Sequence, residues 1–86
     1  MNKLEQILEN FPDEEFIILD GLDDAVIGID TNNDPMRLVY SANEIVECFM
    51  REGMTDEEAI DHYEYNTARS LPYVTNAPII IHTDFF

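Results

Sequence analysis

Two helix starts stand close together near the middle of this chain, and they leave it few ways to fold. Ser41-x-x-Glu44 and Thr55-x-x-Glu58 both match the capping box. In that motif a hydroxyl accepts from a backbone N–H of the first turn, and a glutamate reaches back to the cap. The first helix must therefore end before the second begins, and Gly53 is placed to stop it. Ala42, Ile45, Val46 and Phe49 recur at helical spacing and form its inward side. The second helix places Ala59, Ile60, Tyr63 and Thr67 inward and runs to about Ser70, ahead of Pro72. Asn66 falls on that same inward side, one turn after Tyr63. Only Gly53-Met54 separates the two helices, so they form an antiparallel or steeply crossed pair.

The flanking segments supply a sheet and one more helix. Leu4, Ile7, Leu8 and Phe11 follow a helical period, with Asn2 as cap and Pro12 as stop. "FIIL" at 16–19 reads as a short strand closed by Asp20-Gly21. In "DAVIGID", Ala25, Ile27 and Ile29 share one face, and Val26, Gly28 and Asp30 the other. "TNND" and Pro35 make a turn, and "MRLVY" returns, so residues 24–40 read as a β-hairpin. "PIIIHT" at 78–83 suits a central or well-covered strand. The order predicts a single domain over 1–86 of α+β class. Its sheet is small and mostly antiparallel, a hairpin plus a C-terminal strand, with two or three helices packed on one face.

At this point the residues resemble a family of small acidic proteins of tailed bacteriophages and some bacteria. The resemblance is carried by "GLDDAVIGI", "RLVYS", "GMTDEEA", "YEYN" and "PIII", in that order, across roughly residues 21 to 81. It implies a phage-like origin and supplies no catalytic residue. One departure is visible: where the family tends to show a glycine after an aromatic–valine pair, this chain reads Tyr73-Val74-Thr75-Asn76.

Composition narrows the function classes. Apolar residues make up 45% of the 86-residue chain, which suits a folded core rather than an acidic tail. Nineteen acidic residues face four basic ones, for a formal net charge of −15. Such a chain repels nucleic acid backbones and anionic membranes and is attracted to basic protein surfaces. Cys48 is the single cysteine, so neither an internal disulfide nor a cysteine-based zinc site can form. The N-terminus reads as amphipathic rather than as a leader, and no run is long enough to span a bilayer. The expectation is a cytoplasmic protein, in a host cell if phage-encoded.

No catalytic, metal or cofactor site is assigned. An EF-hand started at Asp30 offers Asp30, Asn32 and Asp34, but Pro35 stands where glycine is needed and Ser41 where the closing glutamate belongs. Asp20, Asp23 and Asp24 share a loop with no further ligand spacing. His62 and His82 read as ordinary partly exposed residues. Nothing in the sequence around Cys48 activates it as a nucleophile.

The acidic helix faces carry the functional expectation. Glu57, Asp61 and Glu64 fall at i, i+4 and i+7, opposite the inward stripe, and Glu44 and Glu47 point outward from the preceding helix. Glu47 is also within reach of Arg51. Rows of carboxylates imitate the charge pattern of a nucleic acid backbone, and a groove built for DNA or RNA accepts them through its own lysines and arginines. The expected function is a non-enzymatic acidic binding protein that docks through these five residues on a basic, nucleic-acid-binding protein, as an inhibitor. The alternative is a self-associating accessory module, in which the two phenylalanines that end the tail "TDFF" either fold back onto the core or present a sticky edge.

Overall fold

A computed structural model describes residues 2–32 and 35–84. Three α-helices and three strands follow one another as α1 (Lys3–Asn10), β1 (Val26–Asp30), β2 (Arg37–Ser41), α2 (Ala42–Arg51), α3 (Asp56–His62) and β3 (Ile79–Ile81). Two single 3-10 turns, Asp23–Ala25 and Leu71–Tyr73, bend the chain into β1 and out of α3. The fold is a small α+β domain. Among the described residues, no helix is long and apolar enough to cross a membrane.

Each helix starts where its sequence says it should. Asn2 accepts from Glu5 N–H at 2.8 Å to cap α1, and Leu4 and Ile7 face inward. Phe11 ends that helix, its N–H reaching back to the Ile7 carbonyl. Ser41 is both the last residue of β2 and the cap of α2, so strand and helix join with no loop between them.

The sheet is mixed, in the order β1-β2-β3. The hairpin β1-β2 is antiparallel, as its turn chemistry predicted, and Asn33 and Asp34 of that turn lie outside the described residues. β3 lies beside β2 in parallel, pairing Ile79, Ile80 and Ile81 with Val39, Tyr40 and Ser41. The crossover through α2 and α3 explains this direction, because parallel neighbours need a long connection whereas a hairpin does not. β3 is therefore an edge strand rather than a central one, and Ile81 is exposed.

A β-bulge corrects the expected facing of β1. The register slips between Val26 and Gly28, and Val26 pairs with Tyr40 while Ile29 pairs with Leu38. The extra residue switches the alternation, so Val26 and Ile29 lie on the core side and Ile27 is 39% exposed. "FIIL" forms no strand. Ile17 and Ile18 are exposed, and the segment is held at Leu19, whose N–H donates to the Tyr40 hydroxyl at 2.9 Å.

The core gathers α1, β1, β2, α2 and α3 into one cluster. Leu38, Tyr40, Ser41 and Ile45 are its largest fully buried side chains, with Leu4, Ile7, Leu22, Val26 and Phe49 around them. Tyr40 runs its ring through this cluster and ends on a backbone donor. Burial pushes its pKa above the usual 10.0, against the lowering effect of the Leu19 hydrogen bond.

Candidate protein-docking face

The α2–α3 hairpin is set by three local devices. Ser41 Oγ accepts from Glu44 N–H at 3.3 Å. At the far end of α2, Gly53 takes a left-handed φ of 108°, which glycine adopts without strain. Gly53 N–H donates to the Met50 carbonyl at 3.0 Å and Met54 N–H to the Phe49 carbonyl at 3.3 Å. These are the paired bonds of a Schellman closure, which stops the helix and turns the chain in one residue. Thr55 then opens α3 with a complete capping box: its Oγ1 accepts from Glu58 N–H at 3.2 Å and its N–H donates to Glu58 Oε1 at 3.0 Å. That backbone hydrogen bond holds the Glu58 carboxyl below the usual 4.5.

With the helices fixed, the acidic residues fall into place. The inward residues of α2 are Ala42, Ile45, Val46, Cys48 and Phe49. Glu47 is exposed, and Glu44 is half-buried at the cap. On α3 and its extension Glu57, Asp61 and Glu64 are all exposed, while Ala59 and Tyr63 are buried. Eight of the nineteen acidic residues of the chain lie between 42 and 64, namely Glu44, Glu47, Glu52, Asp56, Glu57, Glu58, Asp61 and Glu64.

Little positive charge meets them. Arg51 Nη2 pairs with Asp24 Oδ2 at 3.9 Å, with both side chains more than half exposed. This corrects the expected Glu47–Arg51 pair: Arg51 feels the Glu47 charge but donates to Cys48 Sγ at 3.2 Å and leans to Asp24. Arg69, the next arginine along the chain, lies over the Tyr65 ring with its guanidinium carbon 4.7 Å from the centroid.

The five predicted residues do not share one hollow. Glu47 lines a groove of about 320 Å³ between the two helices, with Asn43, Val46, Met50, Asp56 and Ile60. Asp61 lines a separate hollow of about 380 Å³ beside Met54, Glu58, His62, Tyr65 and Asn66. Glu57 and Glu64 stand on the open helix surface. Asp56, Met50 and Ile60 were not singled out from sequence. Their spacing was compatible with one groove: Glu47 and Met50 stand at i, i+3 on one helix and Asp56 and Ile60 at i, i+4 on the other, and all four line the same hollow once the helices meet.

A π-helical stretch, Tyr63–Ala68, continues α3 and explains a second correction. Hydrogen bonds to i+5 widen the turn and rotate everything after it. Asn66 is exposed rather than inward, and its Nδ2 lies 3.1 Å from His62 Nδ1. His62 meets the Phe49 ring edge-on at 4.6 Å, and His82 lies 6.1 Å from the Tyr63 ring. Past this stretch Asn76 has φ 59°, a left-handed conformation that glycine favours and asparagine tolerates.

No group of three or more His, Cys, Asp or Glu residues is arranged to hold a metal ion among the described residues. No family model, no curated protein and no solved structure matches the chain.

Proposed function

We propose that this chain is a non-enzymatic, phage-encoded acidic binding protein that docks its α2–α3 face on a basic, nucleic-acid-binding protein and blocks that protein's access to DNA or RNA. One observation carries the reading. Glu57, Asp61 and Glu64 are presented outward on a helix pinned at both ends of its first turn, and the arginines on either side are turned elsewhere, to Cys48 and Asp24 or to Tyr65.

Holding like charges in one row has an energetic consequence. The like-charged neighbours Glu57–Asp61 at i, i+4 and Asp61–Glu64 at i, i+3 each cost a few tenths of a kcal/mol, the first pair separated by roughly 6 Å along the helix axis. A partner's lysines and arginines would reverse that penalty on binding. The resemblance to phage proteins supports an inhibitory role, because a phage gains by occupying a host nucleic-acid enzyme.

The test uses the protein immobilised in a bacterial lysate at about 0.05 M and about 0.5 M salt, where the Debye length shrinks several-fold. The expected result is a basic partner retained at low salt and released at high salt, whose nucleic acid binding the free protein competes away. Recovery of no basic protein at low salt, or of one that still binds nucleic acid normally, defeats the proposal.

A further inference from the structure

We infer that the groove between α2 and α3 is an anchor pocket for one arginine side chain of the partner, with Glu47 and Asp56 as its carboxylates. The inference rests on the docking reading above and narrows it from a charged face to a shaped site.

The groove has an apolar floor and a charged rim. Val46 is buried, Ile60 half-buried, and Met50 41% exposed at the open side. An exposed methionine is a soft contact that repacks around an incoming group. Glu47 and Asp56 are exposed, and each belongs to a different helix. Neither accepts a hydrogen bond or an ion pair among the described residues; Arg51 flanks Glu47 and Met50 in a neighbouring hollow, but its own hydrogen bond goes to Cys48 Sγ and its ion pair to Asp24. Asn43, the remaining polar group of the groove, is already committed. Its Oδ1 takes Thr83 N–H at 3.1 Å, Thr83 Oγ1 at 3.2 Å and Asp84 N–H at 3.0 Å, which pins the chain beyond β3 against the start of α2. The acceptors left to a ligand are thus the two carboxylates, one from each wall.

Charge and shape together choose the occupant. A phosphate or carboxylate is repelled. A small hydrated cation gains nothing from Val46, Met50 and Ile60. A side chain with an apolar stem and a planar, weakly hydrated cationic head uses both parts, and its fork of donors can reach carboxylates on two sides. That side chain is arginine. Lysine offers the stem but a compact, strongly hydrated head.

The experiment titrates the intact protein, isotopically labelled for NMR, with the capped tripeptide leucyl-arginyl-leucine amide. Its lysine and citrulline counterparts serve as controls. The inference expects shifts at Val46, Met50 and Ile60, weaker binding of the lysine peptide and none of the citrulline peptide. E47Q with D56N should weaken the arginine peptide about tenfold, the size of a lost charge-assisted hydrogen bond. Met50→Ala, at an exposed position, should weaken it independently. Equal binding of the citrulline peptide, or shifts confined to Glu57, Asp61 and Glu64, overturns the arginine pocket. If the arginine peptide binds the parent and E47Q/D56N proteins equally while the parent still captures a basic protein in a salt-sensitive way, the docking reading stands and the pocket alone falls. Sedimentation of the protein by itself checks the other occupant: a dimer abolished by Met50→Asp would assign the groove to a second copy.

Discussion

The β2–α2 unit and the α3 unit are neighbours in sequence and opposites in construction. From Leu38 to Phe49 the chain passes from strand to helix without a loop, and Leu38, Tyr40, Ser41, Ala42 and Ile45 are all at most 1% exposed. From Asp56 to Ala68, Ala59 and Tyr63 alone are buried, and the helix relaxes into a π-helical stretch. The first unit is held by packing. The second is held by its cap and by a thin line of contacts, and it spends its surface on carboxylates. The difference teaches that packing and surface charge can be altered separately: the most deeply buried side chains belong to β2–α2, and the exposed row Glu57, Asp61 and Glu64 belongs to α3 and its extension.

The sharpest way to break this contrast is to hollow out the packed unit. Ile45→Ala should cost about 2–5 kcal/mol, the range for truncating a fully buried aliphatic side chain. At this size that approaches the whole stability of the domain. Urea denaturation measures it. The equivalent truncation on α3, Ile60→Ala, should cost clearly less, since Ile60 is half-buried. Equal losses would erase the distinction between the units.

Next in size is Tyr40→Phe. The ring stays, but the Leu19 N–H loses its acceptor, for about 1–2 kcal/mol. The same variant tests a pH effect. Because the folded pKa of Tyr40 is raised above 10.0, neutral Tyr40 contributes stability in full below that pH, and the contribution is lost as pH rises through the folded value. Thermal melting above pH 10 should therefore fall less steeply in Tyr40→Phe than in the parent protein.

Thr55→Ala removes the cap of α3 and should cost about 1 kcal/mol. The loss should be local, seen as faster amide exchange across α3 with slow exchange retained in α2. Glu58 gives the corresponding acid limb. Its folded pKa lies below 4.5, so its contribution is present above that value and fades as pH falls through the folded one. The stability difference between the parent and Glu58→Gln should accordingly shrink below pH 4.5.

The smallest effect on folding has the largest expected effect on binding. Neutralising the row with Glu57→Gln, Asp61→Asn and Glu64→Gln should raise stability by roughly a few tenths of a kcal/mol, by relief of like-charge repulsion. It should weaken capture of a basic partner by about tenfold or more, since steering and register both draw on those charges. A triple variant that loses stability would mean the carboxylates serve the fold.

Much of this architecture was legible in local sequence. The caps at Asn2, Ser41 and Thr55, the stop at Gly53, the inward row Ala42, Ile45, Val46 and Phe49, and the hairpin are all where their residues implied. These are decisions made within a few residues, by hydrogen bonds and steric limits that neighbours carry with them. The misreadings share a different cause. "FIIL" is apolar enough for a strand, but it pairs with neither outer edge of the sheet, β1 or β3, and is tied down instead at Leu19 by the distant Tyr40 hydroxyl, a contact that no local pattern announces. The bulge at Val26–Gly28 inverted the facing of Ile27 because one extra residue shifts a period of two. The π-helical stretch turned Asn66 outward by the same logic on a helix. The candidate site was legible as charge and illegible as shape: Glu47 was singled out, yet Asp56 and the apolar floor it shares became visible only when two helices were set side by side.

By itself the sequence determined a folded acidic chain with two capped helices joined by a one-glycine stop, because caps, turns and amphipathic stripes are satisfied locally. Only the tertiary structure decided that β3 runs parallel at the edge, that β1 is bulged, and that carboxylates of two helices overlook one apolar groove. Those outcomes depend on which distant surfaces meet, and the free energy that selects them comes from burial shared between segments that no short stretch of residues contains.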